Sequence, residues 1–205
     1  MEADILSPVY EKKDSRQLIE KIRTDFIGLN TKYRIANGEE TRRIYLDSTA
    51  STLMMGIAHR TSEKFLEHYA NTHSLMHFSA KIATKTYAWV HERLLDFLHA
   101  DAEHYTCFFT GSGTTSGMNR IARIFNHLQP KKDVVLVSIM EHHSNDLPHR
   151  KQGGHVIHIP VDTHESKMGC VDMDLFEHYL VEYEGRVNYV SVTGISNVTG
   201  IINPI

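Results

Sequence analysis

Apolar residues recur along this chain in two rhythms, one helical and one of short runs, and together they predict its elements. Leu18, Ile19, Ile22 and Phe26 fall at three-to-four spacing behind a Ser or Asp cap, which predicts an amphipathic packing helix over about 15–27. A short apolar run at 44–46 predicts a strand, followed by the small polar turn Asp47-Ser48-Thr49-Ala50-Ser51-Thr52. Helices are expected over 57–69 and 79–99, the second with Ile82, Thr86, Val90, Leu94 and Phe97 as its apolar stripe. From Tyr105 onward strands at 105–109, 133–139, 155–159 and 187–193 alternate with helices at 114–127, 144–150 and 172–183. Such alternation specifies an α/β fold, a mostly parallel sheet flanked by helices.

Length and composition narrow this further. With 205 residues, 41% of them apolar, the chain can bury one large core, and it reads as an N-terminal helical arm over 1–40 followed by the sheet-building part over 41–205. Lys and Arg number 22 against 25 Asp and Glu, a net charge of -3 spread along the chain, so nucleic acid is not the expected partner. No stretch approaches the roughly 18 apolar residues of a membrane span, and the first residues lack a secretory pattern, so a cytoplasmic protein with no membrane partner is expected. Cys107 and Cys170 have no paired spacing and read as free thiols. Fifteen histidines raise the question of a metal, but only those in 71–77 and 141–149 cluster. Neither cluster has the His-Glu-x-x-His pattern, and adjacent histidines rarely point the same way, so no metal site is expected.

Three motifs carry the chemistry. Phe109-Thr110-Gly111-Ser112-Gly113-Thr114-Thr115-Ser116-Gly117 leaves an apolar run and opens a helix, where unpaired amides, a positive dipole end, glycines and hydroxyls suit a phosphate. A nucleoside-triphosphate loop is excluded, because Met118-Asn119 stands where Lys and Ser/Thr are needed. A dinucleotide loop, with Glu141 as ribose partner in a nicotinamide-dependent oxidoreductase, and a plain capping loop both stay open on these residues. The second motif, Glu141-His142-His143-Ser144-Asn145-Asp146-Leu147-Pro148-His149, follows the 133–139 strand, at the carboxyl end where open α/β sheets bind ligands. There an imidazole can lie flat on an aromatic ring. The third is Ser191-Val192-Thr193-Gly194-Ile195-Ser196-Asn197-Val198-Thr199-Gly200.

In order and content these motifs resemble the aminotransferase class V family, in its cysteine-desulfurase and selenocysteine-lyase-like branch. The turn at 47–52 resembles that family's Asp-Asn-Ala-Ala-Thr segment, and Asn71-Thr72-His73 resembles its Asn-Val-His. The likeness covers about 45–205. Gly111-Ser112 in place of a single Arg before Gly-Thr-Thr, and Thr49 in place of an alanine, resemble the selenocysteine-lyase-like side more than the iron–sulfur desulfurases.

The resemblance implies the large domain of a fold-type-I transferase that binds pyridoxal 5'-phosphate, with 41–205 as the first part of that domain. It implies that Gly113, Thr114 and Thr115 bind the phosphate, that His142 stacks on the pyridine ring and can shuttle protons, and that Asn197 bonds the ring's phenolic oxygen. Thr49, Ala50, Asn71 and His73 would line the substrate side. The substrate would be cysteine, selenocysteine or another amino acid, the complete protein a homodimer, and a sulfur-acceptor protein a partner. The family's Schiff-base lysine, nitrogen-pairing aspartate and catalytic cysteine follow the Ser-Asn-Val-x-Gly segment. They are therefore expected beyond Ile205, and the 205 residues alone are expected to be inactive. A non-catalytic module that keeps the phosphate site is the alternative.

Overall fold

The computed structural model describes residues 15–151, 154–165 and 167–205, which form two compact units that divide between Phe108 and Phe109. The first unit begins with α1 (Ser15–Thr24), whose end is marked by the Thr24 hydroxyl donating back to the carbonyls of Glu20 and Lys21. Leu18, Ile19 and Ile22 stay exposed, while Phe26 just beyond the helix bridges to Met55. An antiparallel hairpin follows, β1 (Lys32–Arg34) and β2 (Glu40–Arg42), turning through Asn37 and Gly38. Gly38 has φ +88°, a conformation that favours glycine.

Helix α2 (Gly56–Leu66) has Met55 at its N-cap position, and its side chain makes no cap hydrogen bond. Asp25 serves instead from a distance, accepting from the Ile57 amide at 2.7 Å and from Arg60 at 2.8 Å. These donors, Arg60 foremost, hold the Asp25 carboxyl below its ordinary pKa. Helix α3 (Phe78–Phe97) is capped by His77, whose Nδ1 accepts from the Ala80 amide at 3.3 Å.

The second unit holds the sheet. Helix α4 (Gly113–Leu128), β3 (Val134–Ser138), α5 (His143–Lys151), β4 (His155–Ile159), α6 (Met173–Glu182) and β5 (Val187–Ser191) alternate as the periodicity predicts. Strand order is β4-β3-β5, all parallel, with β3 buried along its whole length. A continuous apolar run is what a strand covered on both faces needs. Val134 and Leu136 point to the face where Ile159, Val171 and the α6 residues Met173, Phe176 and Tyr179 pack. Val135 and Val137 alternate to the other face, and there α4 packs on α5 while Phe125 and His149 meet Tyr189 of β5.

Two predicted strands are corrected. Residues 44–46 form no ladder, and Ile44 and Leu46 are 82% and 90% exposed. Residues 105–109 likewise lack strand structure, and the Cys107 carbonyl lies 2.5 Å from Nδ1 of His91, a side chain rather than a neighbouring strand. An apolar run becomes a strand only where another strand supplies its hydrogen bonds, and among the described residues no strand pairs with either segment.

Candidate functional site

Strand order reverses at β3: the chain leaves β3 for β4 on one side and returns through α6 to β5 on the other. In open α/β sheets the crevice outside the carboxyl ends at such a point is the usual ligand site. A cleft of about 460 Å³ lies there. Its walls are residues 140–143 after β3, Val161 and Gly169 after β4, and residues 196–199 with Ile201 after β5.

On the first wall, His142 is exposed to the cleft with its ring orientation set locally. Its Nδ1 accepts from the Ser144 amide at 3.0 Å and lies 2.8 Å from the Ser144 hydroxyl. A backbone N–H can only donate, so Nδ1 is the acceptor and the neutral ring carries its proton on Nε2. Glu141 beside it is committed inward, its two oxygens accepting from Ser138 at 2.8 Å and from Asn145 at 2.7 Å.

Asn145 continues the chain of bonds to His149 Nε2 at 3.3 Å, and His149 Nδ1 meets the Tyr189 hydroxyl at 2.9 Å. Burial pushes the His149 imidazole below its ordinary pKa and the Tyr189 phenol above its own, which keeps both neutral. In that state Tyr189 donates to His149, His149 to Asn145 and Asn145 to Glu141, so every donor in the series points toward the carboxylate. The start of α5, with His142 just before it, is thereby tied to the sheet.

On the opposite wall a closed loop presents Asn197. Ile195 and Ile202 bridge antiparallel, the Ser196 amide donates to the Ile201 carbonyl at 2.9 Å, and buried Ser196 Oγ accepts from the amides of Val198 and Thr199. Asn197 sits exposed in this loop. Ser196 belongs to the third motif but was given no role by the sequence, although a Ser two residues ahead of amides in a turn is the pattern of a side-chain-stapled loop. Asn203, buried behind the loop, was not foreseen at all.

The 110–117 loop has the features of an anion cradle. Gly111, Ser112 and Gly113 have φ of 65°, 45° and 63°, three successive left-handed residues of which two are glycine. Ser112 makes no side-chain cap, Thr114 and Thr115 are exposed, and a side chain added at Gly111 or Gly113 would meet open space. The Ser116 hydroxyl donates to the Thr110 carbonyl at 3.1 Å and closes the loop on the helix. Uncapped amides, a positive helix end and free approach to the backbone fit a phosphate group.

The structure thus brings His142 and Asn197 to one cleft, and places Gly113, Thr114 and Thr115 at the start of α4, the helix that packs on α5, outside the cleft's lining. Thr49, Ala50, Asn71 and His73 lie in the first unit, on two exposed turns. The amides of Ala50 and Ser51 donate to the Asp47 carbonyl, and the His73 amide donates to Asn71 Oδ1 at 2.6 Å. Among the described residues no group of three or more His, Cys, Asp or Glu side chains is placed to hold a metal, and no helix is long and apolar enough to cross a membrane.

Comparison with known proteins adds the following. The family model described as aminotransferase class-V matches residues 44–205. A cysteine desulfurase of Klebsiella pneumoniae is 28% identical over 193 residues, 91% of this chain and 44% of the relative. One of Enterobacter is 30% identical over the same shares. The solved apo structure of a cysteine desulfurase from Thermococcus onnurineus superposes with a TM-score of 0.70 at 25% identity, covering 91% of this chain and 42% of that one. The chain therefore spans less than half the length of the relatives it matches.

Proposed function

This chain belongs to the aminotransferase class-V family, and on that premise we propose that it forms the cofactor-facing part of an enzyme that uses pyridoxal 5'-phosphate to act on cysteine or a related amino acid. The observation that carries the proposal is the cleft at the carboxyl ends of β3 and β5, which has His142 on one wall and Asn197 on the other. Relatives named cysteine desulfurases support the substrate class.

In this reading the amides and hydroxyls of Gly113, Thr114 and Thr115 hold the phosphate, and His142 lies against the pyridine ring. Asn197 donates to the ring's phenolic oxygen, and Thr49, Ala50, Asn71 and His73 face the substrate. Pyridoxal phosphate, when bound, supplies an electron sink for cleavage at the substrate's α-carbon or β-carbon. The protein's own part is positioning and proton handling. His142 keeps Nδ1 occupied by Ser144, so any proton it exchanges with a bound molecule passes through Nε2. A lysine to hold the cofactor covalently belongs, by the family pattern, downstream of Asn197. A homodimer, a cytoplasmic location and a sulfur-accepting protein partner complete the proposal.

Equilibrium dialysis of the purified protein against pyridoxal 5'-phosphate tests it. Saturable binding of one molecule per chain is expected. Thr115→Ala and His142→Ala should each weaken it about tenfold, since a charge-assisted hydrogen bond or a ring stack is worth roughly 1.5 kcal/mol. Binding that fails to saturate, or that ignores both substitutions, removes the reading. Because that lysine is expected beyond Ile205, release of sulfide or alanine from cysteine by the complete protein, and not by these 205 residues, separates the enzyme from a non-catalytic module.

A further inference from the structure

We infer that Asn203 is a positioning residue, the tie that fixes the separation between the His142 wall and the Asn197 wall of the cleft. Asn203 is 4% exposed, and all its polar groups are engaged. Its amide donates to the Gly194 carbonyl at 2.9 Å, and its Oδ1 accepts from the Val171 amide at 2.8 Å. Its Nδ2 donates to the Thr193 carbonyl at 2.5 Å and to the Met140 sulfur at 3.5 Å.

The four partners come from all three walls. Met140 lines the cleft just before Glu141 and His142, Val171 closes the turn that contains Gly169, and Thr193 with Gly194 leads into the Asn197 loop. One buried side chain therefore bonds to the segments after all three strands. Only a carboxamide meets these demands, with an acceptor on one side and two donors on the other. A leucine of similar size would leave the Val171 amide and the Thr193 carbonyl buried without partners, and a carboxylate would set oxygen against the Thr193 carbonyl. The walls are also pressed together at Gly169, where an added Cβ would lie 2.5 Å from the Ile201 side chain. The inference rests on the proposed function only for what fills the cleft.

Two measurements on the purified protein decide it. In Asn203→Leu and Asn203→Asp, amide hydrogen exchange should quicken about tenfold or more in the 140–143 segment of the His142 wall as well as in 169–171 and 196–202, while β3 keeps its protection. Pyridoxal 5'-phosphate affinity should fall about tenfold in both variants at a temperature where circular dichroism shows them folded. In Asn203→Asp, lowering the pH protonates the introduced carboxyl, whose burial raises its pKa, and restores a donor toward Thr193. The affinity ratio to wild type should then move back toward one, a recovery that general loosening of the fold does not produce. Exchange confined to one wall, or loosened walls with unchanged affinity, overturns the inference. If the wild-type protein binds no pyridoxal phosphate, the proposed function fails, and the exchange pattern alone decides whether Asn203 ties the walls. If Asn203→Leu does not fold, the isosteric Asn203→Asp carries both measurements.

Discussion

Among single residues, Asp146 gathers bonds from two side chains on one buried carboxylate. It is buried beneath Arg150, whose Nε and Nη2 reach its two oxygens at 3.0 and 2.5 Å, and His158, whose Nε2 lies at 2.9 Å. Burial pushes the carboxyl up, but the bonds from Arg150 and His158 outweigh it and leave the pKa below its ordinary value. A carboxyl depressed in the folded state stabilises fully above the unfolded-state pKa of about 4 and loses that contribution as pH falls through the lower folded value. Asp146→Ala should therefore cost about 2 kcal/mol at pH 7, less than a fully buried pair because Arg150 is half in solvent. In urea unfolding, the gap from wild type should narrow as the pH is taken to about 3. A gap that stays constant over that range would show that packing, not charge, is what the substitution removes. The sequence marked 141–149 as a chemical motif without separating its inward from its outward residues. Asp146 and His149 face the sheet, whereas His142 faces the cleft, a division that depends on which side of α5 meets β4 and β5.

At the scale of elements, the strands that proved legible were those whose residue pattern already contained their environment. The strand expected over 133–139 forms over 134–138, where β4 and β5 flank it on both edges and helices cover both faces. The run 44–46 is similar in character but pairs with no strand among the described residues, and composition cannot reveal whether a pairing partner exists. The β1–β2 hairpin was illegible for the opposite reason: its strands are largely polar and exposed at every position, with no alternation to detect. Its signal was the Asn37-Gly38 pair, the dipeptide most favoured at hairpin turns. If β3 is the organising element, Leu136→Ala, at a position with no exposed surface, should lower stability by about 3 kcal/mol and shift the urea midpoint without changing the slope. Leu175→Ala on α6, where the side chain is 36% exposed, should cost well under half as much. Equal losses at the two positions would place the core elsewhere.

For the molecule as a whole, the order of motifs identified the family, and the sheet's reversal at β3 explains why two of them, far apart in sequence, meet at one cleft. Asn203 was illegible because its role depends on three segments that only the fold brings together. Large apolar side chains also face solvent in both units, among them Ile44, Leu46, Met76 and Phe97 in the first and Val198 and Ile205 in the second. Single exposed hydrophobic residues are ordinary, but Ile44 and Leu46 sit two apart on a segment that leaves β2 without a ladder, where backbone groups and apolar side chains are offered together. Surfaces of that kind are covered by association. Sedimentation equilibrium should therefore show a mass above that of one chain as the protein is concentrated toward about 100 µM, within the range where exposed apolar surface and unpaired edges drive association. The pair of substitutions Ile44→Lys and Leu46→Lys should return it toward the single-chain mass, because two ammonium groups facing each other across a shared edge repel. If the wild-type protein keeps the mass of one chain throughout, or if the lysine variant associates as readily, this segment is not where chains meet.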